Sequence, residues 1–232
     1  MRDLLQDEDD GGRLILMRLC VYTAITARKD SLKALSSEEG VHRVLFTDRP
    51  EDHAGGTWEV RPACSLFVDP RRNSRAHKLL AHQYLDGYDY SLWIDGSIRL
   101  IASPRELVGT YLRDADVAMF RHPARNCLYV EAAGLSGAGY DRGEVFAEQV
   151  ARYRRAGHPD GHGLNECAVI LRRHNTRTEV FNNAWWSEYC RHSCRDQVSV
   201  SYVLRNSDVR LVLFPGTIQS NPGIVVFEGH QR

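Results

Sequence analysis

Short apolar runs separated by helical or turn-rich stretches recur along this chain, at residues 14–23, 42–46, 90–94, 117–120, 168–171 and 209–214. Such runs, bounded by polar turns, read as strands buried in a sheet. Helices are expected between them over 31–38, 73–85, 104–112, 143–156 and 179–189, and two further short strands over 58–62 and 65–68. In the segment 73–85, Asn73 or Ser74 can cap the helix, and Ala76, Leu79, Leu80 and Tyr84 fall on one face. Strands that alternate with helices predict an α/β fold: a mostly parallel central sheet flanked by helices on both faces.

The chain of 232 residues is long enough to bury a substantial core. Lys+Arg and Asp+Glu both count 30, so the formal net charge is zero. A nucleic-acid partner held by general electrostatics would need a basic excess, and none is expected. Residues 1–12 read as a disordered acidic leader and 13–232 as the folded domain. The leader is acidic where a signal peptide is basic, and the apolar run 14–25 is interrupted by Arg18 and too short to span a bilayer. The six Cys at irregular spacings read as reduced, mostly buried thiols of a cytoplasmic protein with no transmembrane segment.

In open α/β sheets ligands bind beyond the carboxyl ends of the strands. Three polar clusters occupy such positions: Thr23 with Thr26, Thr47-Asp48, and Asp95-Gly96-Ser97. The last is the sharpest, because an acid straight after an apolar strand, followed by Gly, lets carboxylate and backbone approach a bound group closely. A carboxylate there can hold a divalent cation that clamps a diphosphate, or it can be a turn residue with a structural hydrogen bond. Arg75, Lys78 and His82 form a basic stripe at helical spacing, suited to phosphate or to plain solvation. After the strand at 117–120, the segment His122-Pro-Ala-Arg125-Asn-Cys, with Glu131 beyond it, lines the same edge. Gly161-His162-Gly163-Leu-Asn-Glu166 precedes the next strand, and Arg195-Asp196-Gln197 begins the element after that. Asp196 is either a helix N-cap or a carboxylate facing a reacting group. Cys190-x-His192-x-Cys194 lacks the second ligand pair of a structural zinc site. Phosphate-loop, dinucleotide-fingerprint and nucleophile-elbow motifs are missing, which disfavours kinase, Rossmann dehydrogenase and serine hydrolase chemistry.

Taken in order, Ser74-Arg-Ala-His-Lys78, Tyr90-Ser-Leu-Trp-Ile-Asp-Gly-Ser-Ile98, His122-Pro-Ala-Arg-Asn-Cys-Leu-Tyr-Val-Glu131, Gly163-Leu-Asn-Glu166, Trp185-Trp186 and Arg195-Asp-Gln197 form a recognisable string. The chain resembles the glycosyltransferase-like domain family named after plant turgor-regulation and mucilage-related proteins, and more loosely the family 8 glycosyltransferases. The resemblance implies a GT-A fold and a nucleoside-diphosphate-sugar donor. By position, it puts Arg75 and Lys78 on the donor, Asp95 on the metal, and Asp196 and Gln197 facing the transferred sugar. Placement in the polar clusters adds Thr23, Asp48, Gly96, Ser97 and Arg195 as donor-side candidates, Glu166 and His122 beside Asp196 as candidates for the chemistry, and Arg125, Glu131 and His162 on the acceptor side. Asp95, Ser97 and His230 would hold Mn²⁺ or Mg²⁺, although Ser97 stands where the family 8 metal motif has a second Asp.

The expected activity is transfer of a sugar to a hydroxyl-bearing glycan or small-molecule acceptor. Its rival is a non-catalytic nucleotide-sugar or carbohydrate-binding module with the same fold.

Overall fold

Alternating apolar residues with no polar face make strand β1, Leu19–Ile25, a central one, because both of its sides must be covered. The computed structural model describes residues 17–35, 38–53 and 55–229. The acidic leader, the start of the first expected strand and His230 therefore lie outside the described residues. Strands β2, Val41–Thr47, β3, Glu59–Pro62, and β4, Tyr90–Ile94, run parallel to β1 on its two sides. Strand β5, Ile98–Leu100, leaves this sheet, while β6, Val117–Arg121, β7, Asn165–Arg173, and β8, Leu211–Leu213, extend it. The seven-stranded order is β3-β2-β1-β4-β7-β6-β8, mostly parallel, with β7 antiparallel to both neighbours. Strand β9, Val225–Phe227, pairs antiparallel with β5 in a small second sheet.

Side chains alternate across the large sheet. Val21, Leu92 and Leu171 enter one core with Leu107 and Val108 of helix α3, Pro104–Tyr111. Tyr22, Trp93 and Ile170 enter the other, against Leu79, Phe181, Trp185 and Val200. These last four come from α1, Pro70–Leu79, α6, Thr176–Arg191, and α7, Asp196–Arg205. Each such side chain, fully buried, contributes about 1.5–3 kcal/mol. Helices thus cover both faces, as the alternation of elements predicts. No helix among the described residues is long and apolar enough to cross a membrane.

Several boundaries differ from the sequence expectation for local reasons. The helix expected over 73–85 begins at Pro70, capped by Asp69, whose carboxylate accepts from Arg71 N. It breaks at Leu80 (φ −103°, ψ 39°) before the short α2, Ala81–Tyr84. Asn73, expected as the cap, instead bonds the backbone N–H and C=O of Phe67 at 2.8 Å each. Those bonds use the groups a ladder would need, so 65–68 is not a strand. Residues 31–35 are irregular rather than helical. Helix α4, Leu128–Gly137, has no helical apolar stripe to announce it and was not anticipated; α5, Gly143–Arg155, was.

Candidate active site

The carboxyl ends of β1 and β4 open into a cavity of about 590 Å³. Residues 24–27 at the end of β1, Asp95-Gly96-Ser97 after β4, Arg75 and Lys78 of α1, Glu166 of β7 and Asp196-Gln197 of α7 all line it. Four segments of the string therefore meet at the end of β1. Gly96 is needed there by contact: a Cβ would sit 2.6 Å from the Cβ of Asp30.

The centre of the cavity wall is a buried charge cluster. Lys78 Nζ lies 2.6 Å from Asp196 Oδ2 and 3.2 Å from Asp95 Oδ1, and the residue is only 1% exposed. Arg75 Nε approaches the same Asp196 oxygen at 3.2 Å. That oxygen is at ion-pair distance from both cations but meets neither at hydrogen-bonding angles. Trp93 Nε1 donates to Asp95 Oδ1 at 2.6 Å. Asp196 is not the N-cap of α7, a position held by Arg195, but its first helical residue, with Oδ1 accepting from Gln197 N at 3.1 Å. Its backbone carbonyl accepts from the indole of buried Trp185 at 3.0 Å, which pins the start of α7 to α6. Burial pushes the Asp196 carboxyl up, but Lys78, Arg75 and Arg195 outweigh it and hold the group far below the usual carboxylate range. A negative charge at a helix N-terminus is further favoured by the helix dipole.

Glu166 behaves in the opposite way. Burial, followed by the like charge of Asp95, raises its carboxyl to about 7. It enters the cavity where the β6–β7 register slips between Met119 and Phe120, an irregularity that re-aims side chains. Gln197 Nε2 donates to it at a long 3.5 Å. The cavity therefore holds one carboxylate fixed in its ionised form beside one that titrates near neutrality.

Other expected site residues are placed differently. Lys78 is engaged by two carboxylates and shielded from solvent, so it does not offer an open phosphate contact. His82 leaves the stripe and meets Asn182 at 3.3 Å. His122 lines the cavity, but its Nδ1 accepts from Ala124 N and Arg125 N at 3.2 and 2.9 Å, so this basic nitrogen shapes the loop. Its Nε2 is 3.7 Å from Glu131, and burial lowers its pKa. Arg125 and Glu131, paired with each other, line the cavity. Thr23 is buried in β1 and does not line the cavity. Asp48 is exposed and holds Ala27 N at 2.9 Å, steadying a turn in which Ala27 and Arg28 have left-handed φ of 53° and 52°. His162 lines a different cavity.

Lys29, Arg71, Tyr140 and Phe227 also reach the lining. Tyr140 stacks on the Arg195 guanidinium at 4.6 Å. None belongs to a motif, and only their positions in space mark them.

Among the described residues no group of three or more His, Cys, Asp or Glu is placed to hold a metal ion. Cys194 N instead bonds Asp141 at 2.9 Å, and His192 sits 3.6 Å from Glu188, so Cys190-x-His192-x-Cys194 does not gather. Asp95 and Ser97 bring one carboxylate and one hydroxyl to the cavity. That pair fits an octahedral Mg²⁺-type ion completed by water and a ligand's phosphates, not one held by protein groups alone.

Comparison with known proteins matches residues 20–221 to the family model described as TOD1/MUCI70, glycosyltransferase-like domain. From Arabidopsis thaliana, the probable hexosyltransferase MUCI70 is 34% identical over 159 residues, covering 64% of this chain and 27% of that protein. The alkaline ceramidase TOD1 of the same organism is 25% identical over 191 residues, covering 70% of this chain and 38% of that protein. The chain thus spans well under half the length of either relative. Among solved structures, the bifunctional glycosyltransferase WbbM in its apo form aligns with a TM-score of 0.47 at 12% identity, over 86% of this chain and 38% of that one. The galactosyltransferase LgtC, in complex with donor and acceptor sugar analogs, aligns with a TM-score of 0.43 at 13% identity, over 84% of this chain and 73% of that one.

Proposed function

The chain belongs to the TOD1/MUCI70 glycosyltransferase-like domain family, and from that premise we propose that it transfers a sugar from a nucleoside-diphosphate donor to an acceptor hydroxyl. The observation that carries the reading is the pairing of two carboxylates with opposite protonation behaviour in one cavity, Asp196 held ionised and Glu166 raised to about 7. In the transfer, the anomeric carbon–oxygen bond to the diphosphate breaks and a bond to the acceptor oxygen forms. The diphosphate leaves with the electron pair, and the hydroxyl proton passes to Glu166. A carboxylate near neutrality in pKa is suited to that proton transfer. Asp196 cannot take the proton while Lys78 and Arg75 surround it, so its fixed charge faces the positive charge that develops on the sugar ring.

Arg75, Lys29 and Arg71 line the cavity and would meet the diphosphate, while Lys78 and Trp93 position Asp196 and Asp95. A divalent cation at Asp95 and Ser97 would add charge neutralisation to the leaving group. The six cysteines are all free thiols, which supports a cytoplasmic setting.

The test begins with a thermal-shift screen of nucleoside diphosphates and their sugars, followed by turnover of Asp196→Asn with the sugar nucleotide that binds. Binding to the wild type, with transfer or donor hydrolysis reduced at least about a hundredfold in the variant, is expected from loss of the electrostatic contact. Absence of any nucleotide binding, or release of amine from ceramide in place of glycosyl transfer, would overturn the reading.

A further inference from the structure

A second cavity, of about 550 Å³, opens at the carboxyl ends of β6 and β8. It is separated from the first by the start of β7 and one turn of α7. Glu166 and Gln197 line the first cavity, whereas Asn165 and Ser201 line the second.

Its charge is one-sided, because no acidic side chain among the described residues lines it. Arg121 ends β6 and Arg205 ends α7. Both are exposed lining residues, and neither has a hydrogen-bond or ion-pair partner for its side chain among the described residues. Several other arginines do find carboxylates: Arg125 pairs with Glu131, Arg152 with Glu188, and Arg177 and Arg210 with Asp116. His162 stands at the lip, its ring 5.4 Å from that of His158. The positive field reaches His158, whose pKa falls to about 4 through burial first and then through His162 and Arg205. Leu204, Leu211 and Leu213 form an apolar floor, and the hydroxyl of buried Ser201 has no hydrogen-bond partner. Unpaired guanidinium groups over a partly apolar pocket are a geometry that binds a carboxylate or phosphate through charge-assisted hydrogen bonds.

We propose that this cavity receives the anionic group, carboxylate or phosphate, of the acceptor, so that the acceptor is an acidic or phosphorylated sugar rather than a neutral one. The proposal rests on the glycosyltransferase reading of the first cavity. Gln197 and Ser201 lie one turn apart on the same side of α7 and line the two cavities, and a helical turn rises only about 5.4 Å. A sugar-sized acceptor with its acid group at Arg121 and Arg205 would then present its hydroxyl toward Glu166.

Calorimetric titration of the wild-type chain, with uridine diphosphate present, compares glucuronate, glucose 6-phosphate and glucose as probes. One or both acidic sugars should bind at least about tenfold more tightly than glucose, and Arg121→Gln with Arg205→Gln should remove that preference. Preference for glucuronate alone assigns a carboxylate, and preference for glucose 6-phosphate alone assigns a phosphate. Affinity for uridine diphosphate should be unchanged in the double variant. Equal binding of the three sugars to the wild type, or a preference that survives the double variant, would overturn the proposal. Absence of uridine diphosphate binding to the wild type, with an acidic-sugar preference that the double variant removes, would instead remove the glycosyltransferase reading and leave the anion site standing. Should the double variant melt early, Arg205→Gln alone, at an exposed helix end, supplies the same comparison.

Discussion

The ammonium of Lys78 lies 2.6 Å from the carboxylate of Asp196, and both side chains are almost fully enclosed, at 1% and 6% exposure. A helix residue early in the chain and a helix residue late in it thus neutralise one another inside the cavity wall. Taking two charges out of water is costly, and removing one partner leaves the other stranded.

Lys78→Ala should therefore act first on the fold. The Asp196 charge would keep only Arg75 as a close partner, and the loss expected is about 3 kcal/mol in urea unfolding at neutral pH. Arg75→Ala, whose side chain is 23% exposed, should cost less stability and act mainly on nucleotide affinity. Equal stability of the Lys78 variant and the wild type would contradict the cluster.

The Glu166 carboxyl is raised from 4.5 to about 7 in the folded chain. A raised carboxyl pKa contributes stability that is full below the unfolded value and lost as pH rises through the folded one. Between about pH 4.5 and 7 the wild type should thus lose stability relative to Glu166→Gln, which should be the more stable of the two at pH 8. Turnover should rise with pH about a midpoint near 7 in the wild type, because a base must be deprotonated. A pH-independent difference in melting temperature between the two proteins would remove the shifted carboxyl.

Arg172 is fully buried in the sheet core, where only one of its nitrogens, donating to Tyr22 Oη at 3.0 Å, is bonded, and Nε and a second terminal nitrogen have no partner. Burial lowers its pKa. Tyr22 retains a second bond, to the Lys78 carbonyl at 3.4 Å. Arg172→Met, similar in length and free of unsatisfied donors, should raise stability by about 1–4 kcal/mol in denaturant titration. A marked fall would show that the contact of the guanidinium with the Trp185 ring, 5.9 Å away, outweighs its unmet donors.

Since no group of three or more His, Cys, Asp or Glu gathers as metal ligands among the described residues, Mn²⁺ by itself should leave the melting temperature unchanged. Mn²⁺ together with uridine diphosphate should raise it beyond the diphosphate alone, and chelator should abolish that increment. A rise with Mn²⁺ alone would indicate a complete protein site.

What the sequence determined by itself was local. Short, largely apolar runs identified β1, β2, β4, β6 and β7 as buried strands, and Asp95-Gly96 at the end of β4 marked a ligand-facing edge. Helical spacing also put Arg75 and Lys78 on one face of α1. Tertiary structure alone decided the rest. A strand buried on both faces has no polar side to betray its direction, so the reversal of β7 against β4 and β6 is set by its connections. Asn73 turned from cap to loop fastener because Asp69 and Pro70 offered a better helix start. Lys78 changed from an open phosphate contact to a sealed partner of Asp95 and Asp196 because α1 and α7 pack on the same face of the sheet. The contrast between an ionised Asp196 and a protonatable Glu166 arises from which cations and which like charges lie beside each. Those neighbours come from distant segments, and periodicity within one segment carries no record of them.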